Sequence, residues 1–231
     1  MSMQAHTDIP TTSALAPVIA IDGPTASGKG TVANRVARAL GFACLDSGAL
    51  YRIIGLLAIE GGVDQSGADG LCSLAAGLAP VFDDGRIWID GREITEDIRR
   101  EDVGAAASRV AAVAPLRLAL LDLQRRQRRL PGLVADGRDM GTVVFPDAAL
   151  KVFLVADVQV RAERRFKQLM DKGYPATLPV LLRGMQERDQ RDQSREFAPL
   201  VPAPDARVLD SSALTADAVV AQVLQWYSGG A

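Results

Sequence analysis

Histidine and cysteine are scarce in this 231-residue chain, which contains one histidine and two cysteines. The single histidine, His6, lies in a polar N-terminal segment, so a Ser-His-Asp triad and a multi-histidine metal site are excluded. Cys44 and Cys72 do not form a CxxC pair and have no histidine nearby. We therefore expect two reduced thiols in or near the core, not a disulfide or a metal site.

Long apolar runs and an excess of charge of one sign are also absent. No stretch approaches the length of a membrane span, and residues 1–17 lack the basic start and apolar run of a signal peptide. We therefore expect a cytoplasmic protein with no membrane partner and a flexible tail over residues 1–16. The formal net charge is only -2, so the overall charge does not indicate a nucleic-acid partner.

What the chain does contain is the composition of an ordinary globular domain, with 48% hydrophobic and 23% charged residues. Its length suits one large core better than two independent ones. The cations are mainly arginine, whose planar fork matches phosphate oxygens. Because Ala, Leu and Gly are also plentiful, this bias can be genomic, and only individual arginine positions are informative.

Short apolar runs alternate along the chain with helical patterns. This alternation predicts an α/β fold in which helices cover both faces of a parallel sheet. Residues 81–94 differ, because apolar and polar residues alternate there around Asp84-Gly85 and Asp90-Gly91, which predicts small antiparallel hairpins. The predicted strands are 18–21, 42–45, 133–135, 150–154 and 207–209, and the predicted helices are 29–40, 47–59, 103–129 interrupted near Pro115, 157–171, 178–193 and 215–226.

The strongest motif follows the first predicted strand and opens the first predicted helix. Its glycines let several backbone N–H groups point at one anion, and the helix N-terminus adds partial positive charge. Lys29 would reach the outer phosphates of a nucleotide. A glycine-rich turn without a ligand is the alternative, but length, lysine and position together favour a phosphate loop and a three-layer P-loop NTPase fold. The loop consists of Gly23, Pro24, Thr25, Ala26, Ser27, Gly28, Lys29, Gly30 and Thr31.

Gly30 stands where the general motif has a serine or threonine that binds Mg²⁺. We therefore expect Mg²⁺ to be carried by ATP, held by phosphates and water, without a direct protein ligand. Among the carboxylates, the sequence indicates Asp136 as the one that can lie near the metal.

A second set of polar residues suggests a phosphoryl acceptor. The segments 46–52 and 136–139 each follow a predicted strand, and ligands gather where parallel strands end. Arg188, Asp192 and Arg195 are spaced to share one helical face. Such a stripe by itself is more often a solvated face, and the same holds for Arg161, Arg164, Arg165 and Lys172. Beside a phosphate loop, however, convergent arginines suit phosphoryl transfer, which needs positioning and dispersed positive charge.

Five segments resemble the bacterial cytidylate kinase family, a branch of the P-loop nucleoside monophosphate kinases. The resemblance covers residues 17–227 and implies one kinase domain over 17–231, with a monophosphate-binding insert at about 46–118 and a lid at about 160–175. The lid has no four-cysteine cluster and needs no zinc. The segments are GPTASGKGT (23–31), LDSGALYR (45–52), ADGRDMGTVVFPDA (135–148), ERDQRD (187–192) and APLVPA (198–203), in the family's order.

The resemblance implies transfer of the γ-phosphoryl group of ATP to CMP, and to dCMP, with small-molecule substrates and no nucleic acid. It implies catalytic roles for Lys29, Arg138 and Arg165, and ATP binding by the phosphate loop with Arg161 and Arg164. The implied CMP-binding residues are Arg52, Arg138 and Arg195 at the phosphate, Ser108, Arg117 and Asp139 at the base, Arg188 and Asp192 at the ribose, and Ser47, Tyr51 and Asp136.

Two alternatives stay open from the sequence. One is a kinase for another acceptor, such as UMP, AMP or shikimate. The other is a nucleotide-dependent switch, although the chain has no NKxD guanine-reading motif and a switch has little use for a second set of cations. Nothing in the sequence demands more than a monomer.

Overall fold

The structure is a computed structural model that describes residues 15–83 and 85–229. His6, residues 1–14 of the predicted tail and Asp84 of the first predicted hairpin turn lie outside the described residues. Ala16, the last residue of the predicted tail, is buried, and its carbonyl accepts a 2.7 Å hydrogen bond from Arg128 Nε. Ala16 is therefore part of the folded domain.

The helices and strands alternate as predicted, and their bounds agree closely with the periodicity of the sequence. Where the predicted and observed ends differ, the difference is mostly one or two residues. In chain order the elements are β1 (Val18–Asp22), α1 (Lys29–Leu40), β2 (Ala43–Asp46), α2 (Ser47–Glu60), α3 (Ala68–Ala76), β3 (Val81–Asp83), β4 (Arg86–Ile89), β5 (Arg92–Glu93), α4 (Glu101–Val110), α5 (Ala114–Arg125), β6 (Leu133–Gly137), β7 (Leu150–Val155), α6 (Val158–Asp171), α7 (Leu178–Gln193), β8 (Arg207–Asp210) and α8 (Ala216–Ser228).

The main sheet has the strand order β2-β6-β1-β7-β8, and every pairing in it is parallel. β1 lies at the centre and all five of its residues are buried, as a strand covered on both faces requires. Ile19 and Ile21 pack against α1 and α8, whereas Val18 and Ala20 pack on the opposite face with β6 and residues 140–145. The predicted parallel sheet and P-loop fold class are confirmed.

The segment between β2 and β6 forms a second apolar cluster. Ile53 and Ile54 of α2, Leu71 of α3, and Leu116 of α5 are buried together in it. The small sheet β3-β4-β5 is antiparallel, which confirms the predicted hairpins. Helix α3 was not predicted, because its short sequence ADGLCSLAA has only two buried positions to mark its face.

The predicted helix over 103–129 is two helices, α4 and α5, bent by 101° at the break. Val113 is extended there, and Pro115 lies in the first turn of α5, where a missing N–H costs little. Among the described residues no single helix has the length and apolarity of a membrane span; only this bent pair, taken together, meets those criteria.

Both cysteines are free, as expected. Cys72 is partly buried, but Cys44 is exposed on the edge strand β2. The prediction that Cys44 lies in or near the core is therefore wrong, because β2 pairs with a neighbour on one side only.

Candidate active site

The phosphate loop leaves the carboxyl end of β1 and curls into the N-terminus of α1. Gly23 has φ 155° and a Cβ at this position would collide with the backbone carbonyl of Leu154. Gly28, at the N-cap of α1, has φ 91°. Only glycine adopts both conformations without strain, so the loop depends on glycine at these two points.

Lys29 lies inside this loop, and its side chain is buried. Its Nζ donates a 3.0 Å hydrogen bond to the carbonyl of Pro24 and lies 4.0 Å from Asp136 Oδ1. Burial lowers the pKa of Lys29 to about 8, with Arg138 adding to the effect. A bound phosphate would oppose both influences, so the loop places a poorly neutralised cation where an anion is expected.

Asp136, at the carboxyl end of β6, faces the loop. Its Oδ1 has no hydrogen-bond partner, and burial raises its pKa to about 7. A Cβ on Gly30 would lie 3.0 Å from Asp136 Oδ2, which explains why glycine replaces the usual serine or threonine there. An unpartnered carboxylate beside a phosphate loop fits a Mg²⁺ ion carried by a nucleotide. Within residues 15–83 and 85–229, no group of three His, Cys, Asp or Glu side chains could hold a metal by itself.

A broad cavity of about 490 Å³ opens in front of the loop. Arg164 and Arg165 line it from α6, and Ser211 and Leu214 line it from the segment after β8. Arg164 Nη2 donates a 2.6 Å hydrogen bond to the carbonyl of Ser211. Arg165 hydrogen-bonds the carboxylate of Glu101 at the start of α4. We refer to this space as the donor cavity.

Arg161 does not line the donor cavity. Its side chain is buried behind the phosphate loop, where it donates to the carbonyls of Ala156 and Thr25 at 2.9 and 3.1 Å. The same guanidinium binds the carboxylate of Asp189, at 2.5 Å between Nη2 and Oδ2. Arg161 thus connects the loop to α7.

A second, narrow cavity of about 40 Å³ lies on the other side of the end of β6. We refer to it as the acceptor cavity. Nine residues predicted to bind CMP line it, although they come from separate segments of the chain: Ser47, Tyr51, Ser108, Arg117, Arg138, Asp139, Arg188, Asp192 and Arg195. Arg52 and Asp136 lie outside this lining, and Arg52 donates a 2.7 Å hydrogen bond to the carbonyl of Ile98.

One end of the acceptor cavity is formed by a buried ion pair. Arg117 Nη2 lies 2.5 Å from Asp139 Oδ2, and both side chains are less than a tenth exposed. Arg117 also lies over the ring of Tyr51, 5.3 Å from its centroid, and donates to the carbonyl of Ala111. The bend between α4 and α5 brings Ser108 and Arg117 into the lining of the same cavity. Helical spacing could not show this, because the two residues lie on different helices.

Arginines surround one carboxylate at the other end of the cavity. Asp192 Oδ2 accepts a 3.0 Å hydrogen bond from Arg138 Nε, and Arg195 Nη2 lies 3.7 Å from Asp192 Oδ1. Burial tends to raise the pKa of Asp192, but Arg138, Arg195 and Arg188 together hold it below its usual range. Arg195 follows the end of α7 at Gln193, so the prediction that one helical face carries all three residues is wrong.

The burial of Arg188 is only partly compensated. Its Nε has no hydrogen-bond partner, and burial lowers its pKa to about 9. Arg138 adds to this effect through repulsion. An anion between these arginines would relieve the repulsion.

Three residues of this region were not singled out from the sequence. Ser211 follows β8 and could have been found from the rule that ligands gather at strand ends. Asp189 lies between two predicted CMP residues, and no sequence signal distinguishes it as the partner of Arg161. Asp22 directly precedes the loop and is buried at the end of β1.

Comparison with known proteins places these observations in a family. The model of the cytidylate kinase family matches residues 19–228. Two similar proteins are the cytidylate kinases of Cupriavidus necator, 56% identical over 91% of this chain and 95% of its own, and of Bordetella bronchiseptica, 56% identical over 92% and 95%. A solved structure of an uncharacterized protein from Eubacterium ventriosum is 11% identical, with a TM-score of 0.51 over 92% of this chain and 98% of its own. That last likeness concerns the fold alone.

Proposed function

The chain belongs to the cytidylate kinase family, and on that premise we propose that it transfers the γ-phosphoryl group of ATP to CMP, giving ADP and CDP. The observation that supports this most directly is the pair of cavities on either side of the end of β6. Lys29 lines one of them and Arg138 the other. A hydrolase or a switch would need only the donor cavity.

In this proposal the acceptor phosphate lies among Arg52, Arg138 and Arg195, and Arg188 and Asp192 face the ribose. One of its oxygens attacks the γ-phosphorus of ATP in line. The new P–O bond forms as the bond from the γ-phosphorus to the bridging β–γ oxygen breaks, and that oxygen leaves on ADP. The acceptor oxygen is already anionic at neutral pH, so no general base is required. The residues position the two phosphates and disperse their charge.

Lys29 and the phosphate loop would hold the donor phosphates, with Arg164 and Arg165 closing over them from α6. Mg²⁺, when bound with ATP, supplies further neutralisation of the phosphate oxygens. Asp136 is the carboxylate that would face it, because its Oδ1 has no hydrogen-bond partner. Arg161 would support the loop through the carbonyl of Thr25.

The Arg117–Asp139 pair suits a cytosine edge. Cytosine offers an amino donor at N4 and acceptors at N3 and O2, which a carboxylate and a guanidinium can satisfy respectively. Uracil would turn a carbonyl oxygen toward the carboxylate, at a cost of about 1–3 kcal/mol. The enclosed, ion-paired end of the acceptor cavity therefore supports preference for CMP over UMP.

The acceptor cavity is too small for a nucleotide as it stands, since about 40 Å³ holds only a few water molecules. CMP must therefore enter by separating the insert from α7. We propose that the insert, about 46–118, and the lid, about 160–175, move together around the two substrates and exclude water. Use of dCMP, a monomeric state and a cytoplasmic location stay predictions.

A coupled ADP-release assay with Mg-ATP and each of CMP, dCMP, UMP, AMP and GMP tests the proposal. We expect strong turnover with CMP and dCMP and little with the others. Release that depends on none of these monophosphates would contradict the proposed acceptor. ADP release with UMP equal to that with CMP would still indicate a pyrimidine monophosphate kinase, but it would contradict the proposed recognition of the base.

A further inference from the structure

Asp22 is a buried carboxylate that none of the steps above uses. It is the last residue of β1 and directly precedes the phosphate loop, yet its side chain points away from α1, on the same face as Val18 and Ala20. Only 5% of the residue is exposed. A carboxylate in such a place must be compensated by hydrogen bonds.

The compensation comes from the segment that carries the base-recognition residue. Asp22 Oδ1 accepts a hydrogen bond from Met140 N and Oδ2 accepts one from Gly141 N, both at 2.8 Å. These two N–H groups open a single turn of π-helix, Met140–Val144. The first N–H groups of any helix lack partners within it, so the Asp22 carboxylate caps this turn from a distant strand.

The capped turn is rigidly joined to Asp139. The carbonyl of Asp139 accepts hydrogen bonds from Val143 N at 2.9 Å and Val144 N at 3.1 Å. The side chain of Lys151 packs against the turn at Gly141, where a Cβ would lie 3.1 Å from Lys151 Cδ. Asp22, the turn and Asp139 therefore form one continuous unit that ends at the Arg117 ion pair.

We propose that Asp22 is a positioning residue for base recognition: by accepting both N–H groups at the start of the turn, it orients Asp139 toward Arg117 and the cytosine edge. This inference rests on the proposed function, because it assigns Asp139 to the base. The carboxylate is well suited to the role, since only an ionised acid accepts on both oxygens without presenting a donor.

The variant Asp22→Asn tests the inference, because it keeps the shape but turns an amide N–H₂ toward one of the two backbone donors. The quantity to measure is the ratio of kcat/KM for CMP to that for UMP at one ATP concentration. Effects on the phosphate loop are common to both acceptors and cancel in this ratio. We expect the ratio to fall about tenfold, the size of effect that one unpaired buried donor produces.

Asp147→Asn is the matched control. It removes a like charge from the connection between β6 and β7, which Asp22 contacts from β1, but Asp147 is paired with Arg128 at the surface, and the ratio should stay within twofold of wild type. A lowered melting temperature of Asp22→Asn with an unchanged ratio would mean that Asp22 is merely structural and would overturn the inference. If Asp22→Asn does not fold, Asp22→Glu keeps the charge but displaces the carboxylate from the two backbone N–H groups by one methylene, and it should lower the ratio severalfold; an unchanged ratio there is equally decisive against the inference.

A pH series gives a second readout. Burial raises the pKa of Asp22 to about 6, against the lowering effect of the two backbone hydrogen bonds. The charged groups around it are Asp139, Arg138, Asp136 and, beside Gly141, Lys151. A protonated Asp22 accepts on one oxygen less, so the wild-type ratio should fall as the pH is lowered through about 6 and be flat in Asp22→Asn. A wild-type enzyme that does not prefer CMP at any pH would instead remove the proposed base recognition, and this inference with it.

Discussion

The donor and acceptor cavities lie on either side of one strand end, but they are built in different ways. The donor cavity is shaped by the backbone of one continuous segment, Gly23 to Thr31, whose glycines adopt conformations closed to other residues. The acceptor cavity is shaped by polar side chains from α2 and α4 and by charged side chains from α5, the segment after β6, and α7 with the residues that follow it. One is open and broad, whereas the other is narrow and ion-paired.

Their carboxylates show the same contrast. Asp136, facing the phosphate loop, has an unpartnered oxygen and a raised pKa. Asp192, in the acceptor cavity, is surrounded by arginines that keep its pKa low. The donor side therefore leaves a carboxylate oxygen without a hydrogen-bond partner, whereas the acceptor side pairs its carboxylate with arginines and leaves guanidinium nitrogens of Arg117, Arg188 and Arg195 without one.

The largest effect should come from the donor side. Replacing Lys29 by Met removes the cation that we propose contacts the transferred phosphate, and we expect kcat to fall on the order of 10³-fold. The fold should persist, because a buried, weakly compensated ammonium contributes little to stability. Single-turnover kinetics and the melting temperature check both statements. Lys172→Met, which removes an exposed ammonium that lines neither nucleotide cavity, is the control, and near-normal turnover in Lys29→Met would contradict the role.

On the acceptor side, Asp139→Asn should mainly change selectivity. The Asn amide can donate to a uracil carbonyl where the carboxylate could not, so we expect the CMP:UMP ratio of kcat/KM to fall about tenfold or more. KM for ATP should change little, because Asp139 does not line the donor cavity. An equal loss with CMP and UMP would show that Asp139 supports the structure without reading the base.

The pKa values of Asp136 and Asp192 are shifted in opposite directions, so the two carboxylates should affect stability in different pH ranges. Asp136 has a raised pKa of about 7, so the folded state binds a proton that the unfolded state releases at lower pH, and stability should decrease as the pH rises from about 4 to 7. Asp136→Asn should remove this loss, gaining about 1–3 kcal/mol at pH 8 relative to wild type. Asp192 has a lowered pKa, so its contribution should be lost only in acid, below about pH 4. Urea unfolding of nucleotide-free wild type, Asp136→Asn and Asp192→Asn at pH 3, 5 and 8 measures both; a pH-independent difference for Asp136→Asn would refute the first.

The smallest effect concerns the contact between the two sides. Arg165 of α6 hydrogen-bonds Glu101 of α4 at an exposed position, and in the proposed mechanism it leaves this pair to reach ATP. Such pairs are worth at most about 1 kcal/mol. Glu101→Gln should therefore raise kcat/KM for ATP about twofold at low salt, and the gain should shrink at high salt. A fall in kcat/KM would mean that Glu101 assists closure.

The sequence alone predicted the parallel sheet, the hairpins of the insert and the phosphate loop. These features depend on neighbours in the chain: apolar runs for buried strands, turn residues for hairpins, and a glycine-rich segment between β1 and α1. The misplaced features depend on context. The bend between α4 and α5 was predicted only as an interruption near Pro115, and Cys44 was assigned to the core because its edge-strand position cannot be read from the residues around it.

The acceptor residues were named from the resemblance, but their arrangement was not contained in it. Helical spacing grouped Arg188, Asp192 and Arg195. In the structure α7 ends at Gln193, and Arg195 Nε donates a hydrogen bond to the carbonyl of Asp192. Spacing also grouped Arg161 with Arg165. In the structure Arg161 is buried behind the phosphate loop, whereas Arg165 hydrogen-bonds Glu101 of α4.

The sequence by itself determined which backbone would curl around a phosphate, because that capacity belongs to glycine and lysine within nine consecutive residues. Only the tertiary structure decided which carboxylate meets which arginine. Pairs such as Arg117–Asp139, Arg161–Asp189 and the Asp22 cap on Met140 join residues 22 to 118 positions apart. Their distances follow from how the insert and the sheet pack, and no local pattern encodes that packing.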